Sequence, residues 1–171
     1  NGGPYASQGK ALNEFIKKKY QFEKCEKRDI QLLTEEMNKI DDPHRKERTY
    51  FISGHRNITE EQFEKYKQVL YNIAVYDDKS CFVVGDYHGV DIMAQNYLMD
   101  VLEIEPDRIT VYHMFDTPMN INPKITRTKG GFQTDRERDG AMTNDSVIDI
   151  AFVVDNTVMS GTAENILRRF L

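Results

Sequence analysis

From Thr49 onward, short apolar runs alternate with stretches whose apolar residues recur every three or four positions. Thr49-Tyr50-Phe51-Ile52-Ser53 has the character of a strand and stops at Gly54. Thr59 then opens a helical pattern. Gln62 follows at capping-box spacing, and Phe63, Tyr66, Leu70 and Ile73 share one face. The same reading predicts strands over 81–84, 108–114 and 148–154, and helices over 90–102, 136–145 and 160–170. Strands separated by helices form βαβ units, whose parallel strands are apolar because both faces of the sheet are covered. The expectation is a doubly wound, Rossmann-like α/β fold with a parallel sheet of about four or five strands. Phe51, Val83, Val111 and Val153 are expected on its central strands.

Residues 1–48 show a different pattern. Leu12, Phe15 and Ile16 share a helical face, as do Ile30, Leu33, Met37 and Ile40. One long helix or two are expected between Ser7 and Ile40, ended by Asp41-Asp42-Pro43, because proline disfavours helix at the residue before it. The expected organisation is an N-terminal helical extension over 1–48 and a single domain over 49–171. The apolar stripes of the extension need a partner, either the domain itself or a second subunit, so a homo-oligomer is expected.

Charge narrows the range of partners. The net charge is −5, and it is uneven: residues 1–48 carry 11 Lys/Arg and 9 Asp/Glu, leaving 12 and 19 for residues 49–171. An acidic domain is a poor general binder of polyanions, so broad nucleic-acid binding is not expected. There is no apolar run long enough to span a bilayer, and residues 1–10 lack the basic and apolar segments of a secretion signal. The cysteines, Cys25 and Cys81, are too few for a disulfide framework. A cytoplasmic protein is expected.

In parallel sheets of this kind ligands lie beyond the carboxyl ends of the strands, so the residues that follow each strand carry the candidate chemistry. After the first strand come Ser53-Gly54-His55-Arg56-Asn57, and after the second Gly85-Asp86-Tyr87-His88-Gly89-Val90-Asp91. A long segment, Phe115–Phe132, follows the third, with the proline and glycine content of a lid. After the fourth, Ser160-Gly161-Thr162 opens a helix. Glycines allow a close backbone approach to a ligand, and a helix start offers unpaired N–H groups to a phosphate. Asp86 and Asp91 suit ribose hydroxyls or helix capping better than phosphate. Plain strand–helix turns and helix caps would explain both glycine segments equally well.

Lys124, Arg127, Lys129, Arg136 and Arg138 form a local basic cluster. Arginine grips phosphate with a fork of donors, although the interleaved Asp135, Glu137 and Asp139 also fit a solvated salt-bridged helix. His55 and His88 fall in the candidate loops, where they could stack on a base, bind a sugar or move a proton. The histidines have no metal-ligand spacing, and no dinucleotide fingerprint or Walker loop is present, so neither a metal nor a cofactor is expected.

In order and spacing these segments resemble the SLOG superfamily, which includes the lonely-guy phosphoribohydrolases and DNA-processing protein A, and in particular a small bacterial and phage-type branch. The matching stretches are Ser53-Gly54-His55-Arg56, Gly85 to Asp91 with Ala94, Arg138 with Met142, and Gly161-Thr162-Ala163. The resemblance covers residues 49–171. It implies a Rossmann-like domain that binds a nucleotide or nucleotide-derived small molecule. For lonely-guy enzymes it further implies cleavage of an N-glycosidic bond, with Arg138 at the position of the family's arginine. The family's glutamate position falls on Asn165, and Glu164 lies one residue early, about 100° away on a helix.

Two readings follow. In the first, the protein is a nucleotide N-glycosidase that uses Asp91, Arg138 and Glu164. In the second, it is a non-catalytic sensor or sequestering protein for a nucleotide-derived signal. Gly54, His55, Arg56, Gly85, Asp86, His88, Gly89, Arg136, Ser160, Gly161 and Thr162 are the expected ligand-binding residues in both.

Overall fold

A computed structural model describes residues 44–152 and 161–170. The helical extension expected before Pro43 lies outside the described residues, as do Val153 and Ser160. Among the described residues a 3-10 turn, Lys46–Arg48, leads into Thr49.

Five strands form one sheet: β1 (Thr49–Gly54), β2 (Cys81–Val84), β3 (Ile109–Met114), β4 (Arg127–Phe132) and β5 (Ile148–Phe152). The order is β4-β3-β2-β1-β5, and every neighbouring pair is parallel. The helices are α1 (Glu60–Tyr76), α2 (Val90–Asn96, continued by a π-helical turn, Tyr97–Val101), α3 (Asp135–Asn144) and α4 (Gly161–Phe170). The expected α/β parallel-sheet architecture is therefore present. Among the described residues no helix is long and apolar enough to cross a membrane.

The predicted capping box forms as read. Thr59 accepts the Gln62 N–H, and the Gln62 side chain accepts the Thr59 N–H. Alternate residues of each strand then serve opposite faces of the sheet. Ile52, Phe82, Val84, Ile109, Val111, Ile150 and Phe152 pack against Phe63, Leu70 and Ala74 of α1 and against Val90, Ala94 and Leu98 of α2 and its π turn. Phe51, Val83 and Tyr112 face the other way, towards Met142 of α3.

The segment read as a lid is not a loop throughout. Its last third is β4, an edge strand whose residues Thr128, Lys129, Gly130 and Gly131 are exposed. The first two thirds are the β3–β4 crossover, which has no helix. Ile125 is buried and Ile121 partly buried against the α1/α2 core, and Asn122 bonds Asn96 and Asp100. The strand lacks an apolar signature because both its faces meet solvent. Its glycines answer local needs: a Cβ at Gly130 would lie 2.1 Å from the His113 ring.

Candidate functional site

The chain runs from β1 to β4 in one direction across the sheet and then returns to place β5 on the far side of β1. The helix after β1 covers one face and the helix after β5 covers the other, so a crevice opens beyond the carboxyl ends of these two strands. A cavity of about 630 Å³ occupies this place. It brings together Gly54, His55, Arg56, Gly85, His88, Asp91, Arg136, Arg138, Gly161, Thr162 and Glu164 from the sequence reading. Asp86 and Gly89 do not line it. Lys124 and Lys129 also lie elsewhere, paired with Asp100 and Asp145, so the expected basic cluster is split between two places.

The glycines of the β2–α2 junction serve packing. Gly89 has φ +83°, and a Cβ there would lie 2.3 Å from the Arg56 carbonyl oxygen. The Val90 N–H at the start of α2 donates to the His55 carbonyl, which locks the β1 loop onto α2. A Cβ at Gly85 would meet the Asp91 carboxylate at 2.5 Å. That carboxylate instead closes the turn by accepting the Tyr87 N–H at 3.2 Å.

Arg138 is the hub of the deep end, with only 4% of its side chain exposed. Its Nη1 reaches Asp86 Oδ1 at 3.2 Å, and both Nε and Nη2 reach Asp139 Oδ1 at 3.1 Å. Asp86 is 2% exposed, and its other oxygen accepts the Met119 N–H of the β3–β4 crossover at 2.7 Å. Arg138 thus ties α3 to the β2 loop and, through it, to the crossover. Burial alone would lower its pKa, but the Asp139 and Asp91 carboxylates outweigh this and raise it. A phosphate on Arg138 would have to displace one of these carboxylates and lie beside the other. Like unit charges 4 Å apart repel by about 4 kcal/mol at an effective dielectric of about 20.

Asp91 makes none of these ion pairs. Burial lifts its carboxyl group to about pH 7, and the nearby Asp139 and Asp86 push the same way; the Tyr87 N–H and the Arg138 charge oppose the rise only in part. A half-buried acid that exchanges its proton near neutrality is suited to general acid–base work. Asp139 is also raised above the ordinary carboxylate range by burial, against the pull of Arg138.

Several site residues carried no role in the sequence reading. Tyr87 lies under two guanidiniums, with Arg56 at 3.8 Å and Arg138 at 4.5 Å from its ring centre, and its hydroxyl donates to Asp135. Asp135 also pairs with Arg56 at 3.3 Å. Together Arg56, Tyr87 and Asp135 bridge the β1 loop, the β2 loop and the start of α3. On α4, Asn165 and Arg168 join the expected Thr162 at intervals of three residues, and all line the cavity. Arg168 donates to Asn165 Oδ1 at 2.7 Å, and the Asn165 side chain in turn bonds Asp139. Glu164 is exposed at the mouth.

Ser53 Oγ and His55 Nε2 are buried and have no hydrogen-bond partner among the described residues. Ser53 is only 5% exposed. Burying such an atom unpaired costs about 1–3 kcal/mol. The strand alternation could have flagged Ser53, because it is a polar residue on the same face as the buried Phe51.

No protein-family model matches the chain, and no curated protein or solved structure matches it either.

Proposed function

We propose that the cavity binds a nucleotide or nucleotide-derived small molecule and that the protein hydrolyses its N-glycosidic bond, with Asp91 as the proton donor. Membership of the SLOG superfamily is part of this proposal. The observation that carries it is Asp91 itself, a half-buried acid in a crevice beyond the sheet's carboxyl edge, brought to about pH 7 by its surroundings. The bond between the anomeric carbon and the base nitrogen breaks, and its electron pair leaves with the base. Asp91 supplies the proton to that nitrogen. Water adds to the anomeric carbon and returns a proton to the Asp91 carboxylate. Asp139 provides negative charge on the same wall for the oxocarbenium-like centre.

The test is incubation of the protein with nucleoside monophosphates, with free base followed by chromatography. Base release is expected from the wild type. Asp91→Asn should bind nucleotide and release no base. One observation favours the second reading, a sensor. The inward α4 position is Asn165, which cannot shuttle a proton, while Glu164 is exposed. Tight binding with the nucleotide intact after prolonged incubation would select the sensor.

A further inference from the structure

We infer that the cavity is divided by charge: its floor takes the uncharged sugar part of the ligand, and the ligand's anionic group is held at the rim by Arg136 and Arg168 rather than by Arg138. The inference rests on the nucleotide-binding reading and adds an orientation and two specificity residues to it.

Two carboxylates, Asp86 and Asp139, already hold the Arg138 guanidinium. One positive charge stands there against the carboxylates of Asp86 and Asp139, with Asp91 alongside. This end of the cavity is neutral to negative and repels a second anion. It nevertheless holds a buried hydroxyl, Ser53 Oγ, and a buried ring nitrogen, His55 Nε2, both without partners among the described residues. A hydroxyl can donate and accept, and a neutral imidazole nitrogen does one or the other according to its tautomer. Sugar hydroxyls match such a set and carry no charge.

The rim is different. Arg136 is exposed on the first turn of α3 and makes no ion pair or hydrogen bond among the described residues. Arg168 donates to one neutral acceptor, Asn165 Oδ1, and makes no ion pair among the described residues. Neither must give up a carboxylate to accept an anion, unlike Arg138. Arg56, the third arginine of the rim, already pairs with Asp135. A chain of contacts runs from Arg168 through Asn165 and Asp139 to Arg138 and so fixes the rim arginine relative to the deep end.

Calorimetric titration with three sets of probes tests the division: nucleoside monophosphates, the matching nucleosides, and inorganic pyrophosphate. Arg136→Ala and Arg168→Ala should each weaken nucleoside monophosphate binding by about 10-fold, and the double variant by about 100-fold, because each removes a charge-assisted contact. Nucleoside binding should not change in these variants. Ser53→Ala should weaken nucleoside and nucleotide binding alike and leave pyrophosphate binding intact. If the double variant binds nucleoside monophosphates as tightly as the wild type, the rim assignment is overturned and the nucleotide reading stands. If pyrophosphate binds the wild type and not the double variant, while no nucleotide or nucleoside binds, the nucleotide reading and the sugar-binding floor fall and only the anionic rim survives. If no probe binds the wild type, both fall.

Discussion

The two faces of the sheet are built from the same strands and do opposite work. On the α1/α2 face, sixteen buried apolar residues form one continuous cluster. On the α3/α4 face the buried apolar cluster has four among the described residues, Phe51, Val83, Tyr112 and Met142, and beside it lie Arg138, Asp86 and Asp139. Neighbouring residues of one strand, such as Ile52 and Phe51, look out on these two environments. One face stabilises by excluding water. The other sets buried carboxylates against a buried guanidinium, a weak way to gain stability and a good way to hold groups in fixed positions. The difference places the larger apolar core on one side of the sheet and the charged groups of the candidate site on the other.

Four variants probe this division, in decreasing order of expected effect. Phe82→Ala removes a fully buried ring from the α1/α2 face and should cost about 3–5 kcal/mol in urea unfolding, with little change between pH 5 and 8. Arg138→Ala leaves Asp86 and Asp139 buried without their counter-charge and should cost about 3 kcal/mol at pH 7. Its cost should shrink towards pH 4, as the Asp139 carboxyl, raised by burial and no longer held down by Arg138, takes up a proton. An equal cost at both pH values would show that Arg138 acts by packing and would erase the contrast between the faces.

Asp91→Asn should act in the stabilising direction. The carboxyl group of Asp91 titrates near 7 in the fold and near 3.8 when unfolded. Between these values the folded chain holds a proton that the unfolded chain has released, so this group's contribution to stability falls as pH rises from about 4 to about 7. After discounting for its partial exposure, the variant should be more stable than wild type by about 1–2 kcal/mol at pH 8 and no different at pH 4. Base release by the wild type should decline above pH 7 as the acid is lost. Ser53→Ala has the smallest expected effect on folding, a gain of up to about 1 kcal/mol, because it removes a buried hydroxyl that has no partner among the described residues. A loss above 2 kcal/mol would mean that Ser53 belongs to the packing and not to the site.

Much of the fold could be read along the chain because its signals are local. Phe63, Leu70 and Ala74 repeat with the helix period, Thr59 and Gln62 cap the helix they open, and Cys81–Val84 is apolar because both faces of β2 are covered. β4 escaped the same reading: Arg127–Phe132 is an edge strand with a polar sequence, and its pairing to β3 is a property of the partner. The candidate cavity was legible as a set of loops beyond one sheet edge, since topology brings Arg56, Gly85, Arg138 and Thr162 to its lining.

The sequence by itself determined the alternation of strands and helices, the apolar face of each helix and the collection of small, polar and basic residues at the carboxyl edge of the sheet. These follow from residue periodicity and from the backbone demands of glycine and proline. Only the tertiary structure decided what the charged residues do there. Arg138 meets Asp86 across 52 positions of sequence and is spent on carboxylates. Asp91 is left as the acid that titrates near neutrality, and Arg136 and Arg168 remain without ion pairs among the described residues. Periodicity is a property of neighbours along the chain. The state of a charge depends on burial and on distances to groups from other elements, which exist only once the chain has folded.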